Sequence, residues 1–105
     1  MVVSILAEMG HSTIEAASSR CVTELLRLNH DFDAVIMDNS LEDASGKEVV
    51  LSLRADKEIP DLPIVIMSSK IRVSEIDELL QLGTSYFLAK PVKQEILRDL
   101  VTRLL

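Results

Sequence analysis

Two unbroken apolar runs, Ala34-Val35-Ile36-Met37 and Pro63-Ile64-Val65-Ile66-Met67, constrain the fold of this chain more than any other feature. A strand with one wet face alternates apolar and polar residues, so an uninterrupted run has to be covered on both faces. Each run breaks off at a polar residue, Asp38 in the first and Ser68, followed by Ser69, in the second. Tyr86-Phe87-Leu88-Ala89 is a third strand candidate, stopped by Lys90-Pro91. Between these runs the apolar residues recur at three- and four-residue spacing, which marks helices. Val2, Ile5, Leu6 and Met9 do so up to Gly10, a residue suited to the position just past a helix end. Ser19 is expected to cap a helix whose inward stripe is Val22, Leu25, Leu26 and Leu28. Lys47 to Arg54 turns Val49, Val50 and Leu53 inward. Ser74 opens a helix with Glu75 and Asp77 in its first turn and Ile76, Leu79 and Leu80 on its buried face, ended by Gly83. Gln94 to Leu105 forms the last helix, through Ile96, Leu97, Leu100, Val101 and Leu104. His11 to Ala16, short and weakly apolar, reads as a further strand.

Helices and strands in alternation call for an α/β fold, a parallel sheet with helices on both faces. A chain of 105 residues makes one such domain and not two. Hydrophobic residues at 48% are enough for a real core, which excludes dominant disorder. Aromatic residues at 3% leave no stacking platform for single-stranded nucleic acid. The net charge of −6 opposes any broad grip on phosphate backbones or anionic membranes. No direct nucleic acid and no membrane are therefore expected as partners. Cys21 is the only cysteine, so an intrachain disulfide is excluded and a reducing, cytoplasmic setting is expected. Neither GxGxxG nor GxxxxGK[ST] occurs, which leaves nucleotide binding without support.

In an open α/β sheet, ligands bind beyond the carboxyl ends of the strands. Here those ends carry Asp38, Ser68 and Lys90. Each has an ordinary reading alone: Asp38 opens the Asn39–Ser40 turn, Ser68 begins a loop, and Lys90 is a solvated cation. Together they form a carboxylate, a hydroxyl and an ammonium on one edge. A carboxylate can act as a nucleophile toward phosphorus, and the aspartyl-phosphate so formed needs a cation and hydrogen-bond donors.

Several pieces recur here in one order: Phe32-Asp33-Ala34-Val35-Ile36-Met37-Asp38, Gly46 eight residues beyond the aspartate, Pro63 to Ser69, Gly83, and Tyr86 to Pro91. In these pieces the chain resembles the receiver domains of two-component phosphorelay systems. The resemblance implies a flavodoxin-like (CheY-like) three-layer sandwich with a parallel sheet, and a signalling module that is not an enzyme. It implies that Asp38 accepts a phosphoryl group from a histidine kinase or histidine phosphotransfer protein. Lys90 and Ser68 would bind the phosphoryl oxygens, Ser68 and Phe87 would switch between two arrangements, and Lys90–Pro91 would be a cis peptide. Mg²⁺ would be held by Asp38, the backbone carbonyl of Ser40 and an acidic pair at the end of the family's first strand. That strand and pair have no counterpart here, because Met1 to His11 already reads as the second half of the first helix. Residues 1–105 are thus expected to be a single receiver-like domain, N-terminally incomplete, binding Mg²⁺ only if the acidic pair is supplied. Glu42 stands where the family commonly has proline, and Leu41-Glu42-Asp43 reads as solvated loop. A sheet lacking a central strand leaves unpaired edges that invite pairing with another chain or segment; a truncated sequence or a degenerate receiver is the expected explanation, ahead of a homodimer or strand completion by a partner. The alternative function is a degenerate pseudo-receiver, an interaction module that works without phosphorylation.

Overall fold

The computed structural model describes residues 2–29, 31–39, 41, 43–69, 73–84 and 86–105. In chain order the elements are α1 (Val2–Glu8), α2 (Ser19–Leu28), β1 (Val35–Asp38), α3 (Gly46–Ala55), β2 (Ile64–Ser68), α4 (Val73–Leu82), β3 (Tyr86–Ala89) and α5 (Gln94–Leu104). The three strands form one sheet in the order β1-β2-β3, and both pairings are parallel.

The central strand β2 shows why an unbroken apolar run is needed. Successive side chains leave a strand on opposite faces. Ile64 and Ile66 therefore enter one core, with Leu26 of α2, Val49, Val50 and Leu53 of α3, and Leu79 of α4. Val65 enters the other, with Ile5 and Leu6 of α1 and Leu97, Leu100 and Val101 of α5. Ile64, Val65 and Ile66 are all fully buried. Helices thus cover both faces, which is the three-layer α/β sandwich expected from the sequence. Among the described residues, no helix is long and apolar enough to cross a membrane.

Local sequence accounts for most boundaries. Gly10 follows α1 with φ +88° and Gly83 follows α4 with φ +113°, both in the left-handed region that glycine enters freely. Ser45 caps α3 by accepting from the Glu48 N–H at 3.3 Å, and the Glu48 carboxylate lies 3.3 Å from the Ser45 hydroxyl. This Ser-x-x-Glu capping pair extends the helix to Gly46, one residue ahead of the Lys47 start that apolar spacing predicts.

Several expectations are corrected. The cap of α2 is Ser18, which accepts from Cys21 N at 3.1 Å, and Ser19 is the first helical residue. Ser74 lies inside α4, which already includes Val73. Leu28, at 87% exposed, and Ile96, at 53%, lie outside the buried stripes assigned to them, as does the exposed Leu80. Each sits at a margin of its stripe, where one residue of helical rotation (about 100°) turns a side chain from core to solvent. His11 to Ala16 carries no strand; no strand pairs with it, and Ile14 is exposed.

Candidate functional site

The main chain brings the three polar strand ends together. In the ladder Asp38 lies opposite Met67, and Ser68 opposite Ala89. Pairing continues one step past each strand: Asn39 N donates to Met67 O at 2.9 Å, and Lys90 N donates to Ser68 O at 2.9 Å. Asp38, Ser68 and Lys90 therefore leave the sheet at the same edge. The Lys90–Pro91 peptide is cis, as expected, and turns the chain from β3 toward α5.

Across this edge the Lys90 ammonium forms an ion pair with Asp38 Oδ1. That oxygen is buried and accepts no directional hydrogen bond, although both side chains are roughly half exposed, Lys90 at 41% and Asp38 at 46%. A carboxylate with one oxygen against a cation and its body open to solvent is reachable by an incoming electrophile. Ser68 is half-buried at the end of β2. Phe87 stands opposite Ile66 in the ladder and packs, half-buried, on the core cluster that contains Ile64, Ile66 and Leu79.

The loop after Asp38 is tied at two points. Gly46 N donates to Asn39 O at 2.8 Å, and a Cβ at position 46 would lie 2.6 Å from Asn39 Oδ1 and 3.3 Å from Asn39 Cα. Only glycine allows that approach without displacement. Asp43 makes the second tie. Its carboxylate accepts from Ser19 N at 2.8 Å, from Ser19 Oγ at 2.7 Å and from Arg20 N at 3.4 Å. The Ser19 backbone N–H, then its hydroxyl, hold the Asp43 carboxyl below the ordinary carboxylate range, because each favours the charged form. The sequence marks this residue as solvated loop; it instead fastens the loop that follows Asp38 to the start of α2. The signal for Ser45-x-x-Glu48 was present locally, whereas the Asp43 contact spans 24 residues and has no local sequence signature.

Receiver domains bind Mg²⁺ through acidic residues, and the described residues do not fit that group. No three of their His, Cys, Asp or Glu side chains are clustered to hold a metal. Asp38 faces Lys90, and Asp43 is spent on Ser19. Ser40, whose carbonyl the resemblance assigns to the metal, and Glu42 lie outside the described residues.

Residues 1–102 match the family model described as response regulator receiver domain. The chemotaxis protein CheY homolog of Campylobacter jejuni is 27% identical over 95 residues, which cover 90% of this chain and 73% of that protein. The polar-differentiation response regulator DivK of Brucella ovis is 26% identical over 88 residues, 84% of this chain and 71% of that protein. Among solved structures, the chemotaxis response regulator CheY4 of Vibrio cholerae superposes with a TM-score of 0.87 at 25% identity, covering 100% of this chain and 87% of that one. A putative response regulator from Chloroflexus aurantiacus shares the fold with a TM-score of 0.88 at 24% identity, covering 99% and 84%.

Proposed function

The chain belongs to the response regulator receiver domain family, and from that membership we propose that it is a phosphorelay module whose phosphoacceptor is Asp38. The observation that carries this reading is the Lys90–Asp38 ion pair at the edge where the three strand ends meet. A histidine kinase or histidine phosphotransfer protein would present a phosphohistidine to that edge, in the cytoplasmic setting expected of a lone cysteine. An Asp38 carboxylate oxygen attacks phosphorus, an O–P bond forms, the N–P bond breaks, and the imidazole nitrogen leaves with the electron pair and takes up a proton. Lys90 pairs with the phosphoryl oxygens, because a group of about −1.5 to −2 charges replaces the single charge of the carboxylate beside an ammonium already in place. The Ser68 hydroxyl donates to a phosphoryl oxygen, and Phe87 shifts behind it, which changes the surface of α4, β3 and α5. Receiver domains are signalling modules, and this sequence of steps ends in a changed binding face rather than in a released product.

Incubation with acetyl phosphate and Mg²⁺, followed by Phos-tag electrophoresis, tests the reading. A retarded band that disappears in Asp38→Asn is expected. An unshifted chain, or a band that persists in Asp38→Asn, refutes the acceptor role.

One observation favours a second reading. Among the described residues no carboxylate cluster accompanies Asp38, and Asp43 is tied to Ser19. A pseudo-receiver would bind its partner with no dependence on phosphorylation, so titration of a histidine phosphotransfer domain would give the same affinity for the wild type and Asp38→Asn with and without phosphodonor.

A further inference from the structure

Helix α3 spans the sheet from the acceptor edge to the opposite one. Its first residue, Gly46, donates its N–H to Asn39 O, next to Asp38, at 2.8 Å. Ten residues at 1.5 Å each carry the helix about 15 Å away from that point. There Arg54, the last residue but one, reaches the turn between α4 and β3. Its Nε and Nη2 both donate to Gly83 O, at 3.1 and 2.8 Å, and its Nη1 donates to Asp61 at 2.7 Å. The side chain lies directly on the glycine: a Cβ at position 83 would stand 2.8 Å from Nε and 3.0 Å from Cγ. α4 has no basic residue in its last turn, so the cation that complements its C-terminal end comes from α3. The Arg54 side chain is 20% exposed and that of Asp61 91%, which makes the carbonyl, and not the solvated carboxylate, its anchor.

These contacts close a circuit. Asp38 leads through Asn39 to the head of α3, and α3 leads to Arg54 and Gly83. β3 returns from that turn through Phe87 to Lys90, and Lys90 pairs with Asp38. Two links in the circuit are single points, Gly46–Asn39 and Arg54–Gly83. Another tie between α3 and α4, the Lys47–Glu78 ion pair, is half exposed on both sides and yields to small displacements. Val49, Val50 and Leu53 of α3 also share a core with Phe87. Apolar burial has no direction, however, whereas the planar guanidinium fork fixes the place of Gly83 O.

We propose that Arg54 is a positioning residue of the phosphorelay site. α3 acts as a strut between the loop after Asp38 and the Gly83 turn, so a displacement at the acceptor reaches β3, and with it Phe87 and Lys90, from the far end. The proposal deepens the phosphoacceptor reading and rests on it for what displaces the loop, while the strut itself is tested without phosphoryl transfer. Tyr86 opens β3, is the sole tyrosine, and has no tryptophan to outshine it, so acrylamide quenching of its emission reports on β3.

The test uses the 105-residue chain as wild type, Gly46→Ala, Arg54→Lys and the double variant, each shown to be folded by circular dichroism. Lysine keeps the charge and loses the fork. Gly46→Ala pushes on α3 at the Asn39 end and is expected to shift the quenching constant of Tyr86. In the Arg54→Lys background that shift is expected to fall at least about twofold. A second measurement does not depend on Gly46→Ala. After acetyl phosphate and Mg²⁺, Arg54→Lys is expected to be labelled to the wild-type extent on a Phos-tag gel, with the Tyr86 change per labelled molecule again at least about twofold smaller. A merely structural Arg54 would lower the urea midpoint and leave both Tyr86 responses intact. The proposal is overturned by Tyr86 responses that are the same with Arg54→Lys, which would route the coupling through the packed face, or by a Tyr86 that responds to neither perturbation in the wild-type background. A wild type that is never labelled refutes the acceptor reading alone, and the Gly46→Ala pair then decides the strut.

Discussion

Leu97 and Ile96 are neighbours in α5 with opposite fates, 0% and 53% exposed, which makes them a sharp probe of how that helix is rotated. Leu97→Ala removes about three methylene equivalents, a transfer loss of about 2.4 kcal/mol at ~0.8 per group. Its surroundings, with Val65, Leu88 and Val101 in the same cluster, come from β2, β3 and α5 itself. A pocket walled by three elements collapses only in part, and the cavity left adds to the loss, for a total of about 3–4 kcal/mol. Against a total stability of about 5–15 kcal/mol for a domain of this size, that is a large fraction. The melting temperature should fall by about 12–25 °C. Ile96→Ala gives up contacts that are already half in water and should cost less than about 1 kcal/mol. Urea unfolding followed by far-ultraviolet circular dichroism measures both. Equal losses, or a larger loss at Ile96, would mean that α5 presents a different face to the sheet, and the two-core description would be wrong.

Four further outcomes follow from particular contacts. Gly46→Ala places a methyl 2.6 Å from Asn39 Oδ1 and 3.3 Å from Ile66 Cδ1, and should lower stability by about 1–3 kcal/mol in urea unfolding despite alanine's better helix propensity. Lys90→Ala should change stability by less than about 1 kcal/mol, since both partners are half exposed, yet reduce phosphoryl labelling by tenfold or more on a Phos-tag gel. Asp43 titrates below its ordinary value of 3.8, so its contribution is present above that pH and is lost as acid protonates the folded carboxyl; Asp43→Asn should flatten the acid limb of the urea midpoint plotted against pH. Thr84→Val should raise stability by about 1 kcal/mol in the same assay, because the buried Thr84 hydroxyl has no hydrogen-bond partner to lose.

The parts of the fold that were legible in sequence are those set by local periodicity. Ile64 to Met67 announces a strand with two cores because every side chain in it is apolar, and the sheet then places Ile64 and Ile66 on one side and Val65 on the other. Helix margins were less legible: Leu28 and Ile96 are apolar residues at the boundary of a stripe, and burial there is decided by how the helix is tilted on the sheet. The strand expected at His11–Ala16 fails for a different reason. Strand propensity is a statement about fitting a pleated surface between neighbours, and among the described residues no strand lies beside this segment.

The site divides in the same way. Asp38, Ser68 and Lys90 could be assigned to one edge because strand ends in a parallel sheet share an edge, whatever the details of packing. The ion pair between Lys90 and Asp38 needs the ladder that brings their strand ends to one edge, and the Asp43 clamp needs α2 against the loop. These contacts have a consequence for Asp38. It closes a four-residue strand laddered to β2, so its position depends on β2, on the Gly46–Asn39 hydrogen bond and on the Asp43 tie to α2.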